Sequence, residues 1–136
     1  MDAKQSLVRN WLKKARRDLL SAKRLIQGND PYFDTAIYHC QQCVEKSIKG
    51  WLVYHDQPFE KTHDLRLLVT LASEIEPKFT EWFDVAEQVS PYATAYRYPG
   101  EVLEPTKDEF QMTLKAATKF YDFVCSMLPI ELSAHK

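Results

Sequence analysis

The sequence predicts an all-α fold, an up-and-down antiparallel bundle of four to five helices, and three observations predict it. Apolar residues recur every three or four positions over long stretches, the period that gathers side chains on one helical face. Gly, Asn, Asp and Pro cluster in short connections between those stretches, which makes successive helices antiparallel neighbours. No run alternates apolar and polar residues as a half-buried strand would, and 136 residues include only three Gly. The chain reads as one domain over 1–136, with a core at about 4–128 and a frayed tail at 129–136. A chain of this length buries about two-thirds of its unfolded surface and needs no disulfide or metal to fold.

The first helix is expected over about Lys4 to Gln27, with Val8, Leu12, Ala15, Leu19, Ala22 and Ile26 as its buried stripe. Gly28 ends it, because glycine tolerates the left-handed conformation that follows many helices. Asp30 is placed to cap the second helix and Pro31 to occupy its first turn. That helix, Tyr32 to Tyr54, organises the chain: Phe33, Ala36, Ile37, Cys40, Val44, Ile48, Trp51 and Leu52 face the core. Beside them runs a polar row, His39, Gln42, Lys46 and Lys49, so the helix is read as packing on one side and binding on the other. Thr62 or Asp64 caps a third helix carrying Leu65, Leu68, Ala72 and Ile75. Pro77 sits in the first turn of a fourth, where Phe79, Trp82 or Phe83, Ala86 and Val89 turn inward, and Pro91 ends or kinks it. After an irregular Tyr92–Gly100 stretch and an acidic loop from Glu101 to Pro105, Thr106 and Glu109 have the capping-box spacing. Phe110, Leu114, Ala117, Tyr121, Val124 and Leu128 then run down the last helix until Pro129.

Charge is unevenly placed. Residues 1–28 hold eight Lys and Arg against two Asp, and the rest of the chain holds ten against seventeen Asp and Glu. A basic first helix on an acidic body suits phosphates, the acidic surface of a dimer mate or another protein, or a solvated face. No apolar run approaches the roughly 20 residues that span a bilayer. With no apolar leader-like segment and an odd cysteine count, the expected location is the cytoplasm. Two long helices exposing apolar surface lead to an expected homodimer, with Trp11, Trp51 and the aromatic last helix as interface candidates.

Few patterns carry chemistry. Cys40 and Cys43 form a C-x-x-C but lack a second ligand pair, and mid-helix they read as small apolar fillers. His39, His55, His63 and His135 include no metal-binding i, i+4 pair, so no metal and no cofactor is expected. His63 beside Asp64 reads as part of a cap and turn, although a His next to a carboxylate can also be tuned as a base. P-loop, dinucleotide and nucleophile-elbow motifs are missing from the sequence. What remains is Tyr96-Arg97-Tyr98-Pro99-Gly100. An arginine among aromatic rings, followed by a rigid turn, can grip a phosphate bidentately while a base stacks nearby. It can equally make a salt bridge to an acid such as Glu45 or Glu101.

Taken together, ARRDLLSAKRLI in the first helix, YFDTAIYHCQQCVEKSIKGWLVY in the second, the following THDLRLL and the late YRYPG resemble the HEPN domain over roughly residues 4–128. The family's H-x-Q-Q-x-x-E-K-x-x-K pattern falls on His39, Gln41, Gln42, Glu45, Lys46 and Lys49, and its T-H-D/S-L on Thr62 to Leu65. The resemblance implies a helical bundle, usually a homodimer, often working beside a minimal nucleotidyltransferase. Many HEPN proteins are metal-independent ribonucleases with an R-x4-6-H pair. Here Arg97 matches the arginine, but the histidine positions hold Val102, Leu103 and Glu104, so this chain resembles the non-nuclease branch with no catalytic residue assigned. The leading expectation is a homodimer that binds a nucleotide or other phosphorylated ligand and partners a nucleotidyltransferase. Arg97 and Lys46 would take the phosphate, His39 and either Tyr96 or Tyr98 would orient or stack on the base, and Gln42 and Lys49 would complete the polar row. The alternatives are a ribonuclease toxin using Arg97 with His63, with RNA as its partner, and a dimeric scaffold.

Overall fold

The computed structural model describes residues 1–100 and 103–133. Among them the chain is all helical: α1 (Ala3–Leu25), α2 (Phe33–Tyr54), α3 (Leu65–Ile75), α4 (Phe83–Val89) and α5 (Lys107–Ser126), with 3-10 turns at Pro77–Trp82, Ser90–Ala93 and Ile130–Leu132. No helix of the described residues is long and apolar enough to cross a membrane.

α1 opens with a reciprocal capping box, the Gln5 N–H donating to Asp2 Oδ1 at 2.8 Å and the Asp2 N–H to Gln5 Oε1 at 3.0 Å. It closes before a turn in which Gly28 has φ +92, the left-handed conformation expected of it. The predicted Asp30 cap is not made. α2 begins after Tyr32 with no side-chain cap, and the Tyr32 N–H instead reaches back to the Leu25 carbonyl at 2.9 Å, so backbone closes the turn. Asp64 caps α3 by accepting from the Arg66 and Leu67 N–H groups.

The single fourth helix expected from Pro77 is divided. Trp82, at φ −107 and ψ 5, leaves α geometry and separates a 3-10 turn from α4. The tail is also more ordered than expected over residues 130–133: Leu132 is fully buried and Ser133 nearly so. Residues 134–136, including His135, lie outside the described residues.

α2 is the central element, packed against α1 along its length and against α3 and α5. Trp51 is 1% exposed, with its ring 4.6 Å from that of Phe79, which in turn meets Phe120 and Phe123 edge-on. Trp51 therefore belongs to this chain's own core and is unavailable as a dimer contact. Phe110, Phe120 and Tyr121 of α5 are buried in the same way. At Gly50 the two long helices touch, since a Cβ there would lie 3.0 Å from the Cβ of Trp11.

Candidate functional site

Fourteen of the 22 residues of α2 are buried, so a polar group on it needs a partner inside the protein. Two networks supply those partners. The first joins α2 to α1 through Asp18, whose side chain is 9% exposed. Asp18 Oδ1 lies 2.7 Å from His39 Nδ1, and Oδ2 lies 2.7 Å from Lys46 Nζ. A carboxylate only accepts, so His39 Nδ1 carries the proton and Nε2 is left for another partner. His39 and Lys46 both keep about a quarter of their side chains in solvent.

The second network is centred on Glu45, 4% exposed. It accepts from Lys49 Nζ at 3.0 Å, from Gln41 Nε2 at 3.1 Å and from His63 Nδ1 at 2.8 Å. Gln42 donates to Gln41 at 2.7 Å and so joins the same chain. Burial alone would raise the Glu45 carboxyl, but hydrogen bonds from His63, Gln41 and Lys49 outweigh it and hold the group below its ordinary value. His63 is therefore not part of the α3 cap. It reaches across to α2 while Thr62 and Asp64 make the turn.

Between the networks, Cys40 and Cys43 are fully buried. Burial, with help from the Asp18 charge, pushes the Cys40 thiol up to about 12 and the Cys43 thiol well above its usual value. Both are protonated space fillers, as their mid-helix positions predict.

The third component is the loop after α4. Tyr92 and Tyr96 stack with ring centroids 6.1 Å apart and planes 15° from parallel. Their hydroxyls donate to the two oxygens of Glu109, at 2.9 Å from Tyr92 and 3.2 Å from Tyr96. Burial and then the Glu109 carboxylate push the Tyr92 hydroxyl up to about 12, and the same causes raise Tyr96. Tyr96 has φ +65, a conformation uncommon for a bulky side chain. The chain reverses there, and the Arg97 guanidinium carbon comes to rest 3.7 Å above the Tyr38 ring on α2. That ring meets His39 edge-on at 5.6 Å.

The structure thus links Arg97 to His39 and Lys46 through a chain of contacts made by two residues that the sequence did not single out, Tyr38 and Asp18. Tyr96 turns away toward α5, and Tyr98 stands 72% exposed beside Arg97. Gln42 and Lys49 lie inside the Glu45 network, with Lys49 Nζ between the rings of Trp11 and Phe59. The expected one-sided binding row on α2 is therefore split into a partly exposed pair and a buried pair. Glu45, one possible salt-bridge partner for Arg97, is engaged elsewhere, and Glu101 lies outside the described residues. No carboxylate of the described residues pairs with Arg97. Lys46 and Arg97 carry two positive charges against the one negative charge of Asp18, and the exposed guanidinium edge suits an anion.

The basic residues of α1 form a separate surface. Lys13, Arg16, Arg17, Leu20, Ser21 and Arg24 line a shallow concavity of about 350 Å³.

Residues 8–128 match the HEPN domain family. A protein of Methanocaldococcus jannaschii named "Putative toxin MJ1304" is 25% identical over 132 residues, an alignment covering 87% of this chain and 86% of that protein. The crystal structure of ST0689, described as an archaeal HEPN homologue, superposes with a TM-score of 0.68 at 24% identity, covering 88% of this chain and 96% of the other.

Proposed function

Because this chain belongs to the HEPN domain family, we propose that it is a non-catalytic binding protein of a two-protein, toxin–antitoxin-type module. In this reading a homodimer binds a nucleotide or another phosphorylated ligand and works with a minimal nucleotidyltransferase. The observation that carries it is Arg97, exposed to solvent yet held 3.7 Å over Tyr38 and next to the His39–Asp18–Lys46 bridge. An arginine whose face is already stacked has little freedom left to lose on binding, and its N–H edge remains available to phosphate oxygens. Asp18 holds both Lys46 and the His39 ring, and that ring meets Tyr38 edge-on. Tyr98 supplies an exposed ring for a base. The toxin-named relative supports the module type.

The test is affinity purification of the tagged chain from its native host, with mass spectrometry of what co-elutes. Recovery of a nucleotidyltransferase or a nucleotide is the expected result. A preparation from the native host that yields neither removes the partner and ligand assignments together.

A second reading, a metal-independent ribonuclease toxin, is favoured by one observation. The His63 side chain is 67% exposed and fixed at Nδ1 by the buried Glu45, as a general base would be. Tyr38 and Glu45 are seven residues apart on α2, so Arg97 and His63 approach the same helix face about 10 Å apart along its axis. RNA cleavage that disappears in both Arg97→Ala and His63→Ala would support it, and intact RNA after incubation with wild-type protein would remove it.

A further inference from the structure

Arg97 sits in a loop flanked by Pro91 and Pro99, and its position needs a cause. Among the described residues its backbone is held by the bond from the Arg97 N–H to the Thr94 carbonyl at 3.2 Å. Tyr96 must also be held at φ +65, a strained conformation for a non-glycine residue that persists only where surrounding contacts impose it. Those contacts converge on one carboxylate. Glu109, in the first turn of α5 where the helix dipole favours an anion, does not fold back to complete a capping box with Thr106. It takes the hydroxyls of Tyr92 and Tyr96 on its two oxygens. Stacking of the two rings completes the clamp.

We propose that Glu109 is a positioning residue for the anion site. By clamping Tyr92 and Tyr96 it imposes the chain reversal that lays Arg97 on Tyr38. Glu109 bonds to Tyr92 and Tyr96 and forms no ion pair with Arg97, so it acts through the backbone of the intervening loop. This assignment rests on the reading of Arg97 as the phosphate-binding group, but its first readout is independent of any ligand.

The experiment is NMR of the ligand-free full chain. Protons of Arg97 lying over the face of Tyr38 are shielded, and Tyr38→Leu gives the unshielded reference. Glu109→Ala should move the Arg97 side-chain resonances to that reference, and affinity for pyrophosphate, the probe, should fall about tenfold, the scale of one lost charge-assisted contact. Glu109→Gln, whose amide oxygen can still accept a hydroxyl, should retain part of the shielding. Should Glu109→Ala fail to fold, Tyr92→Phe/Tyr96→Phe removes both hydroxyl bonds to Glu109 while keeping the stacked rings and the α5 terminus. Shielding that survives in a folded clamp variant overturns the proposal. Shielding lost with pyrophosphate binding unchanged upholds the positioning role and instead discards Arg97 as the phosphate ligand.

Discussion

Asp18 decides the local electrostatics. A carboxylate 9% exposed is tolerable only because a lysine and a histidine both contact it at 2.7 Å. Asp18→Ala strips α2 of that partner and should destabilise the fold by about 3 kcal/mol, the lower end of the range for breaking a buried pair, since His39 and Lys46 can turn partly to solvent. Urea midpoints measure this. Glu45 makes a pH prediction. Its carboxyl is held below its unfolded value, so its contribution to stability is full above the unfolded pKa of about 4.5 and is lost as pH falls through the lower, folded value. Urea midpoints of wild type should therefore drop more steeply below pH 5 than those of Glu45→Gln, while Glu45→Gln should be the less stable protein at pH 7. Parallel curves would show that Glu45 is not the titrating group. Some of this was readable in the sequence. Asp18 lies between Ala15 and Ala22 on the apolar stripe of α1, and an acid at such a position signals a buried ion pair. Tyr38 carried no comparable signal, because its role depends on a residue 59 positions away in a loop.

The seam between α1 and α2 rests on a glycine. A methyl at Gly50 would meet the Trp11 Cβ at 3.0 Å, and that atom, fixed to the backbone of α1, cannot swing aside. Gly50→Ala should force the helices apart and cost about 1–3 kcal/mol despite alanine's better helix propensity. A thermal midpoint equal to or above wild type would contradict the packing described. At this scale the sequence was most legible where apolar periodicity was long. α1, α2, α3 and α5 lie within a few residues of where their stripes place them, and Thr106 accepts from the Glu109 N–H as its spacing predicts. The losses were local. Asp30 was an available cap displaced by a backbone bond from Tyr32, and Trp82 interrupted a helix for a reason that only its packing against Phe120 and Phe123 supplies. The second half of the capping box failed because tyrosines from a distant loop competed for the Glu109 side chain.

In the whole molecule the motif that carries the family resemblance serves mainly to assemble the bundle. His39 and Lys46 bind α1, while Gln41, Gln42, Glu45 and Lys49 form a buried chain that reaches the α3 approach through His63. Spacing could place these residues on one helix, but it could not tell which of them keep solvent, because α2 is surrounded. All of this converges on Arg97 as the proposed phosphate-binding group of a ligand site on Tyr38. Calorimetric titration of wild type and Arg97→Ala with a panel of nucleotides and pyrophosphate tests it most directly. Wild type should bind, and binding should weaken at least tenfold in Arg97→Ala with helical content unchanged by circular dichroism. Equal affinity in the two proteins would contradict it.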